Sequence, residues 1–243
     1  MGKALAELIR FQFRFLTFQT SRAELLSVGN RHFAWGLFFT WLAGVGRWWD
    51  DPKAQLLQML GLGSIIYVFV LTVLLWIVVR PLVAPDWKYF RIATLVMFTS
   101  PPALIYAIPV ERYVDMDTAI GMNMIFLGVV ATWRVSLYFR LLRRVARLDL
   151  FTTFITCLLP LMVIVATLFV LNLHRVVFQL MGGLREESPQ EGAYMILFAL
   201  TALSVYGVIP ILVSYIVMMV IRRKQSRTAN GEEPANEAEH SSR

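Results

Sequence analysis

IATLVMFTSPPALIYAIPV, residues 92–110, carries no charged side chain and holds two adjacent prolines at its middle. Its length suits a helix that crosses the roughly 30 Å hydrocarbon core of a bilayer, which takes about 17–25 predominantly apolar residues. Pro101 and Pro102 supply no N–H, so one continuous helix leaves the carbonyls of Met97 and Phe98 without partners. In lipid such groups are costly unless another donor reaches them. The Ser100 hydroxyl can serve one of them, not both. The same letters also spell a helix start, with Ser100 as cap and Pro101 at the first helical position. Two readings stand: a kinked helix, or two half-helices meeting near the midplane with free carbonyls and an N-terminal dipole aimed into the bundle. Met97, Phe98, Ser100, Pro101 and Pro102 form the candidate broken-helix site.

Outward from this stretch, five more qualify as crossings, giving spans at 33–49, 59–79, 92–110, 118–138, 151–173 and 193–221. The chain is 58% hydrophobic and only 16% charged, which is a membrane composition. The expected fold is all-α: a polytopic six-helix transmembrane bundle, with residues 1–32 as a cytoplasmic amphipathic segment and 222–243 as a disordered cytoplasmic tail. The first span is the weakest, because it is short, holds Gly36, Gly44 and Gly46, and carries Arg47 near its end. Pro160 and Pro210 mark weak points in the fifth and sixth spans, freeing the carbonyls of Thr156 and Tyr206.

Orientation follows the basic residues, because cytoplasmic loops carry the excess. Of the 23 Lys and Arg, 17 fall on one side of this map and five on the other, with Arg134 inside the fourth span. Both termini are therefore expected in the cytoplasm, at the inner (plasma) membrane if the cell is bacterial. Dropping the first span would send a segment with five basic residues across the bilayer, so the charge pattern asks for six crossings. The net charge of +7 is accounted for by this topology, which excludes nucleic acid as a partner.

Residues 3–18 repeat with helical period: Leu8, Phe11, Phe15 and Phe18 on one side, Lys3, Glu7, Arg10, Arg14 and Thr17 on the other. This fits an interfacial helix or one packed beneath the bundle. Ser21 and Glu24 stand at capping-box spacing and start a second short helix. Arg140, Arg143, Arg144 and Arg147 follow the spacing of one helix face. They read as a candidate site for anionic lipid headgroups or as an ordinary anchor for the fourth span. Arg134 either snorkels to the cytoplasmic interface or pairs with freed carbonyls or a phosphate, with Asn123 on the same face further out. Trp48, Trp49, Asp50, Asp51 and Pro52 mark the outer end of the first span, where the two carboxylates cap a helix or hold a cation.

Several chemistries are missing. The spans hold no Asp, Glu or His, which disfavours proton relays and intramembrane proteases. Cys157 has no cysteine partner, and His32, His174 and His240 lie too far apart for a metal cluster. No cleaved secretory signal is expected, since Arg10 and Arg14 interrupt the first apolar segment. Position 6, where myristoylation asks for Ser or Thr, is Ala6. No phosphate loop or nucleophile elbow is present, and no loop is long enough for a soluble catalytic domain. The expectation is a protein that is not an enzyme, with no catalytic residue, no metal and no cofactor. It acts by binding membrane lipids or other membrane proteins, as a scaffold or assembly factor. The alternative is a small-solute permease or channel built on the broken third span.

The run YFRIATLVMFTSPPALIYAIPVE, residues 89–111, followed by VVATWRVSLYFRLLRRVARLDLFTTFITCLLP, residues 129–160, resembles the Yip-domain family of small multi-pass membrane proteins. The shared features are the basic-aromatic entry, the Ser-Pro in the third span, the Trp133 region and a later helix with Leu-Leu-Pro, over about residues 89–173. The resemblance implies a non-enzymatic integral membrane protein. That family has five spans where the charge pattern here gives six. Its links to vesicle traffic and small GTPases find no support in this short N-terminal segment.

Overall fold

The computed structural model describes residues 2–49, 54, 56–82, 84–171 and 191–229, and every regular element among them is helical. Five segments are long and apolar enough to cross a membrane: Leu62–Leu82, Tyr89–Arg112, Asp117–Arg144, Leu150–Thr167 and Thr201–Ser226. The helix α3 (Asn30–Trp48), which covers the expected first span, is not among them. Asp50, Asp51 and Pro52, the end of the fifth span and its following loop, and residues 230–243 of the tail lie outside the described residues.

The third span is the hub. Every residue from Ile92 to Ser100 is buried, with Ile92, Leu95, Met97 and Phe98 fully enclosed. Two neighbours pack along it. Phe33 of α3 stacks on Phe90 at 5.0 Å between ring centroids, Gly36 meets Met97, Thr40 meets Ser100, and Trp49 Nε1 donates to the Ala107 carbonyl at 2.9 Å. Thus α3 accompanies the third span in the same direction along its whole length. Helix α5 (Leu62–Val79) returns antiparallel, since Gly44 approaches Gly61 while Phe33 reaches Phe69 near its middle.

The second span begins at Leu62 rather than at Met59. A short α4 (Leu56–Met59) ends in Gly61, whose φ of 68° lies in the left-handed region. An added Cβ there would also lie 2.7 Å from the Trp41 carbonyl oxygen, so the turn is tight as well as left-handed.

Aspartates start the next two long helices. Asp115 caps α7 (Met116–Arg144), accepting from the Thr118 N–H at 3.0 Å and hydroxyl at 2.9 Å. Asp149 caps α8 (Leu150–Val170) through the same two groups of Thr152, at 3.0 and 2.6 Å. Pro160 and Pro210 both sit inside continuous helices, Pro210 in α9 (Glu191–Ala229). Helix α9 packs on α8 through Thr201, Ser204 and Gly207, and exposes Leu203, Tyr206, Ile209 and Val213 on its outer side. The tail expected to be disordered from Arg222 continues as helix to Ala229. Arg222 explains the anchorage, donating to the Leu82 carbonyl at 3.3 Å and pairing with Asp149 at 3.4 Å.

These bonds gather one end of the bundle. Arg22 pairs with Asp86 and donates to the Arg144 carbonyl at 3.0 Å, Arg140 donates to the Thr20 carbonyl, and Arg222 joins Leu82 to Asp149. The segments counted as the basic side of the sequence therefore meet at a single end.

Candidate functional site at the break in the third span

The third span divides. Helix α6 (Tyr89–Met97) stops before the prolines, and the chain resumes as a 3-10 helix at Pro101–Ala107. The cause is local: two successive residues lack an N–H, so two neighbouring rungs of the α ladder are lost together. Tighter turns take over, with the Ser100 N–H donating to the Met97 carbonyl at 3.0 Å and the Ala103 N–H to the Ser100 carbonyl at 2.9 Å. Met97 is thus served by the Ser100 main chain, not by its hydroxyl.

Two carbonyls remain, and distant side chains fill both. Gln12 Nε2, from α1 (Gly2–Leu16), donates to Phe98 O at 2.9 Å. Arg134 Nε, from α7, donates to Thr99 O at 3.2 Å. The Ser100 hydroxyl lies 2.9 Å from Thr40 Oγ1, which is itself 2.9 Å from the Gly36 carbonyl. Since the single Thr40 proton goes to that carbonyl, Ser100 is the donor to Thr40. Arg134 thus reaches the stretch from Met97 to Pro102 through the main chain of Thr99.

Helix α1 reaches the break because its apolar side is wide. Phe15 and Gln12 are buried, and Phe11 and Phe15 set their rings edge-on to Phe98 at 5.2 and 5.9 Å. A second apolar row, Leu5, Ile9 and Phe13, faces outward. The far end of α1 is tied by Trp133, whose indole N–H donates to the Leu16 carbonyl at 3.0 Å. The turn to α2 (Arg22–Leu26) holds the expected capping box: Ser21 accepts from the Glu24 N–H at 3.3 Å, and Glu24 accepts from the Ser21 N–H at 2.7 Å. Glu24 also pairs with Arg14. The Ser21 backbone N–H above all, with the Ser21 hydroxyl and the Arg14 guanidinium, holds the Glu24 carboxyl below the usual carboxylate range.

Asn123 is not at this site. Its side-chain amide donates to Glu111 at 2.7 Å, toward the opposite end of the bundle. Nor do the four arginines share one helix face. Helix α7 ends at Arg144, and Arg147 lies in a turn with φ of 54°. The reason is that Val145, Ala146 and Leu148, interleaved with the basic residues, are all buried and draw the chain back into the core. Arg140 and Arg143 spend donors on the carbonyls of Thr20 and Leu148, while Arg143, Arg144 and Arg147 remain exposed.

Gln12, Thr40 and Tyr106 escaped the sequence reading, and Arg47 entered it only as a charge near the end of the first span; its guanidinium lies 5.5 Å from the Tyr106 ring. A signal existed for Gln12, a lone amide within the apolar arc of an amphipathic helix. No family model matches this chain, and no match was found among curated proteins or solved structures.

Proposed function

We propose that this chain is a non-enzymatic, six-pass membrane protein that works by binding anionic lipid headgroups and neighbouring membrane proteins at its cytoplasmic face. In this reading α3 is the sixth crossing. Its 19 residues give about 28 Å of helix at 1.5 Å per residue, nearly the hydrocarbon thickness, and it keeps pace with the third span from Phe90 to Ala107. An even number of crossings returns both termini to one side, and the basic excess at the end where Arg22, Arg140 and Arg222 converge supports reading that side as the cytoplasm.

The observation that carries the proposal is the outward row of Leu5, Ile9 and Phe13 on a helix whose other side is locked into the bundle. A free apolar row on a docked helix suits contact with lipid or a neighbouring membrane protein, and the exposed Arg143, Arg144 and Arg147 at the basic end suit anionic headgroups. The weak Yip-domain resemblance of residues 89–173 accords with a binding role. The permease alternative would use the break, but its carbonyls are taken by Gln12, Arg134 and the Ser100 N–H.

The test is co-purification from native membranes, with bound lipids and proteins identified. The wild type should bring down anionic lipid or a membrane protein, and replacing Leu5, Ile9 and Phe13 by Gln should weaken that recovery at least threefold. A purified protein that is monodisperse, without partners and indifferent to vesicles of anionic lipid counts against the proposal.

A further inference from the structure

The basic end of the bundle presents exposed cations from two elements. Arg143, Arg144 and Arg147 are exposed where α7 ends, and none of the described ion pairs includes them. Of the described acids at that end, Glu24, Asp86 and Asp149 are held by Arg14, Arg22 and Arg222, while Glu7 on the exposed side of α1 forms no described ion pair. Helix α9 adds Arg223 and Lys224, both exposed, with Arg223 Nε donating to the Pro81 carbonyl at 3.4 Å. The two groups adjoin, because Arg222 pairs at 3.4 Å with Asp149, two residues beyond Arg147.

Directly after this cluster the sequence changes sign. Residues 222–227 hold four Lys and Arg, whereas residues 230–243 hold Glu232, Glu233, Glu237 and Glu239 against Arg243 alone. Asn230-Gly231, between the two blocks, is a dipeptide that favours turns. From Arg222 to Ala229 the helix rises about 10 Å at 1.5 Å per residue. A flexible chain of 14 residues spans about 20 Å on average, enough to return over that rise to the end of α7.

We propose that the acidic tail, residues 230–243, is the intramolecular partner of the basic end, docking its glutamates on Arg143, Arg144, Arg147, Arg223 and Lys224 and screening them from anionic lipid. The docking stands on charge complementarity, and the screening rests on the headgroup reading above. One exposed ion pair contributes little. Tethering supplies the rest, since a short flexible linker holds the tail at an effective concentration on the order of millimolar. A surface dense in anionic headgroups displaces the tail, whereas a sparse one does not. Salt weakens the docking, because these charges face solvent.

The full chain in nonionic detergent at low salt is treated with a zero-length carbodiimide, which joins a carboxylate to an amine in contact with it. Arg147→Lys supplies the amine and keeps the charge; Arg112→Lys, at the opposite end, is the control. The first is expected to give a cross-link to a tail glutamate within one chain. High salt or dioctanoyl-phosphatidylglycerol should reduce it at least fivefold, and dioctanoyl-phosphatidylcholine should not. The control should give none. With Glu232, Glu233, Glu237 and Glu239 all replaced by Gln, the chain should bind phosphatidylglycerol at least threefold more tightly than wild type at low salt. Absence of the cross-link, its persistence in high salt, or its appearance only between two chains overturns the docking. Equal affinity of wild type and the neutral-tail variant for phosphatidylglycerol overturns the screening. A cross-link that forms while neither chain binds phosphatidylglycerol upholds the docking and refutes the headgroup reading, so the two fail separately.

Discussion

The side-chain amide of Gln12 donates to the main-chain oxygen of Phe98 at 2.9 Å, across 86 positions of sequence. A helix near the start of the chain thereby closes the gap that two prolines open in the third span. Replacing Gln12 by Leu keeps the volume and the helix but withdraws the donor. A buried carbonyl left without its partner costs about 1–3 kcal/mol. Thermal unfolding in micelles should show Gln12→Leu destabilised by that order, with Gln19→Ala, an exposed neighbour, within about 0.5 kcal/mol of wild type. Equal stability of the two variants would deny the closure.

Glycine governs how near α3 comes to the hub. A Cβ on Gly36 would stand 2.8 Å from the Met97 Cβ, whereas one on Gly63 meets nothing within 4 Å. Gly36→Ala should therefore cost about 1–3 kcal/mol through forced separation of the helices. Gly63→Ala should be neutral or slightly stabilising. The same unfolding assay reads both.

The prolines, and not the surrounding packing, set the break. With Pro101 and Pro102 both replaced by Ala, the α ladder can continue, and the carbonyls of Phe98 and Thr99 take main-chain donors instead of Gln12 and Arg134. Helix α1 then loses its anchor. Limited proteolysis should cut at Arg10 and Arg14 at least tenfold faster in the double variant. Unchanged protection of α1 would mean that its aromatic contacts with Phe98 alone hold it.

Glu24 gives the turn between α1 and α2 an acid limit. Its carboxyl is held below the usual carboxylate range, so it binds its proton more readily unfolded than folded. The stabilisation is complete above about pH 4.5 and is lost as pH falls through the lower, folded value. Release of α1, followed by the same proteolysis with an acid-active enzyme, should rise below pH 4.5 in wild type. In Glu24→Gln it should already be raised at pH 7 and change little with acid.

Much of this was legible in the letters. The apolar runs announced the long helices, Ser21 and Glu24 announced their capping box, and the adjacent prolines announced a break. What stayed hidden depends on partners far apart in sequence. Nothing near Phe98 says that Gln12 will reach it, because the helix that carries Gln12 is placed by aromatic packing. The arginine spacing suggested a continuous basic face, yet Val145, Ala146 and Leu148 gain more by burial than the helix gains by continuing. The aspartates that cap α7 and α8 went unread, although each stands three residues before a threonine whose hydroxyl joins the cap. The left-handed turn at Gly61 shortened the second span for a reason that lies in its neighbour, the Trp41 carbonyl.

The central claim is that α3 passes through the bilayer beside the third span, returning head and tail to the same compartment. Fusing a periplasm-active and a cytoplasm-active reporter in turn to each terminus measures this directly. Both ends should give cytoplasmic activity only. A signal from opposite faces would contradict the account, removing one crossing and placing α3 outside the hydrocarbon.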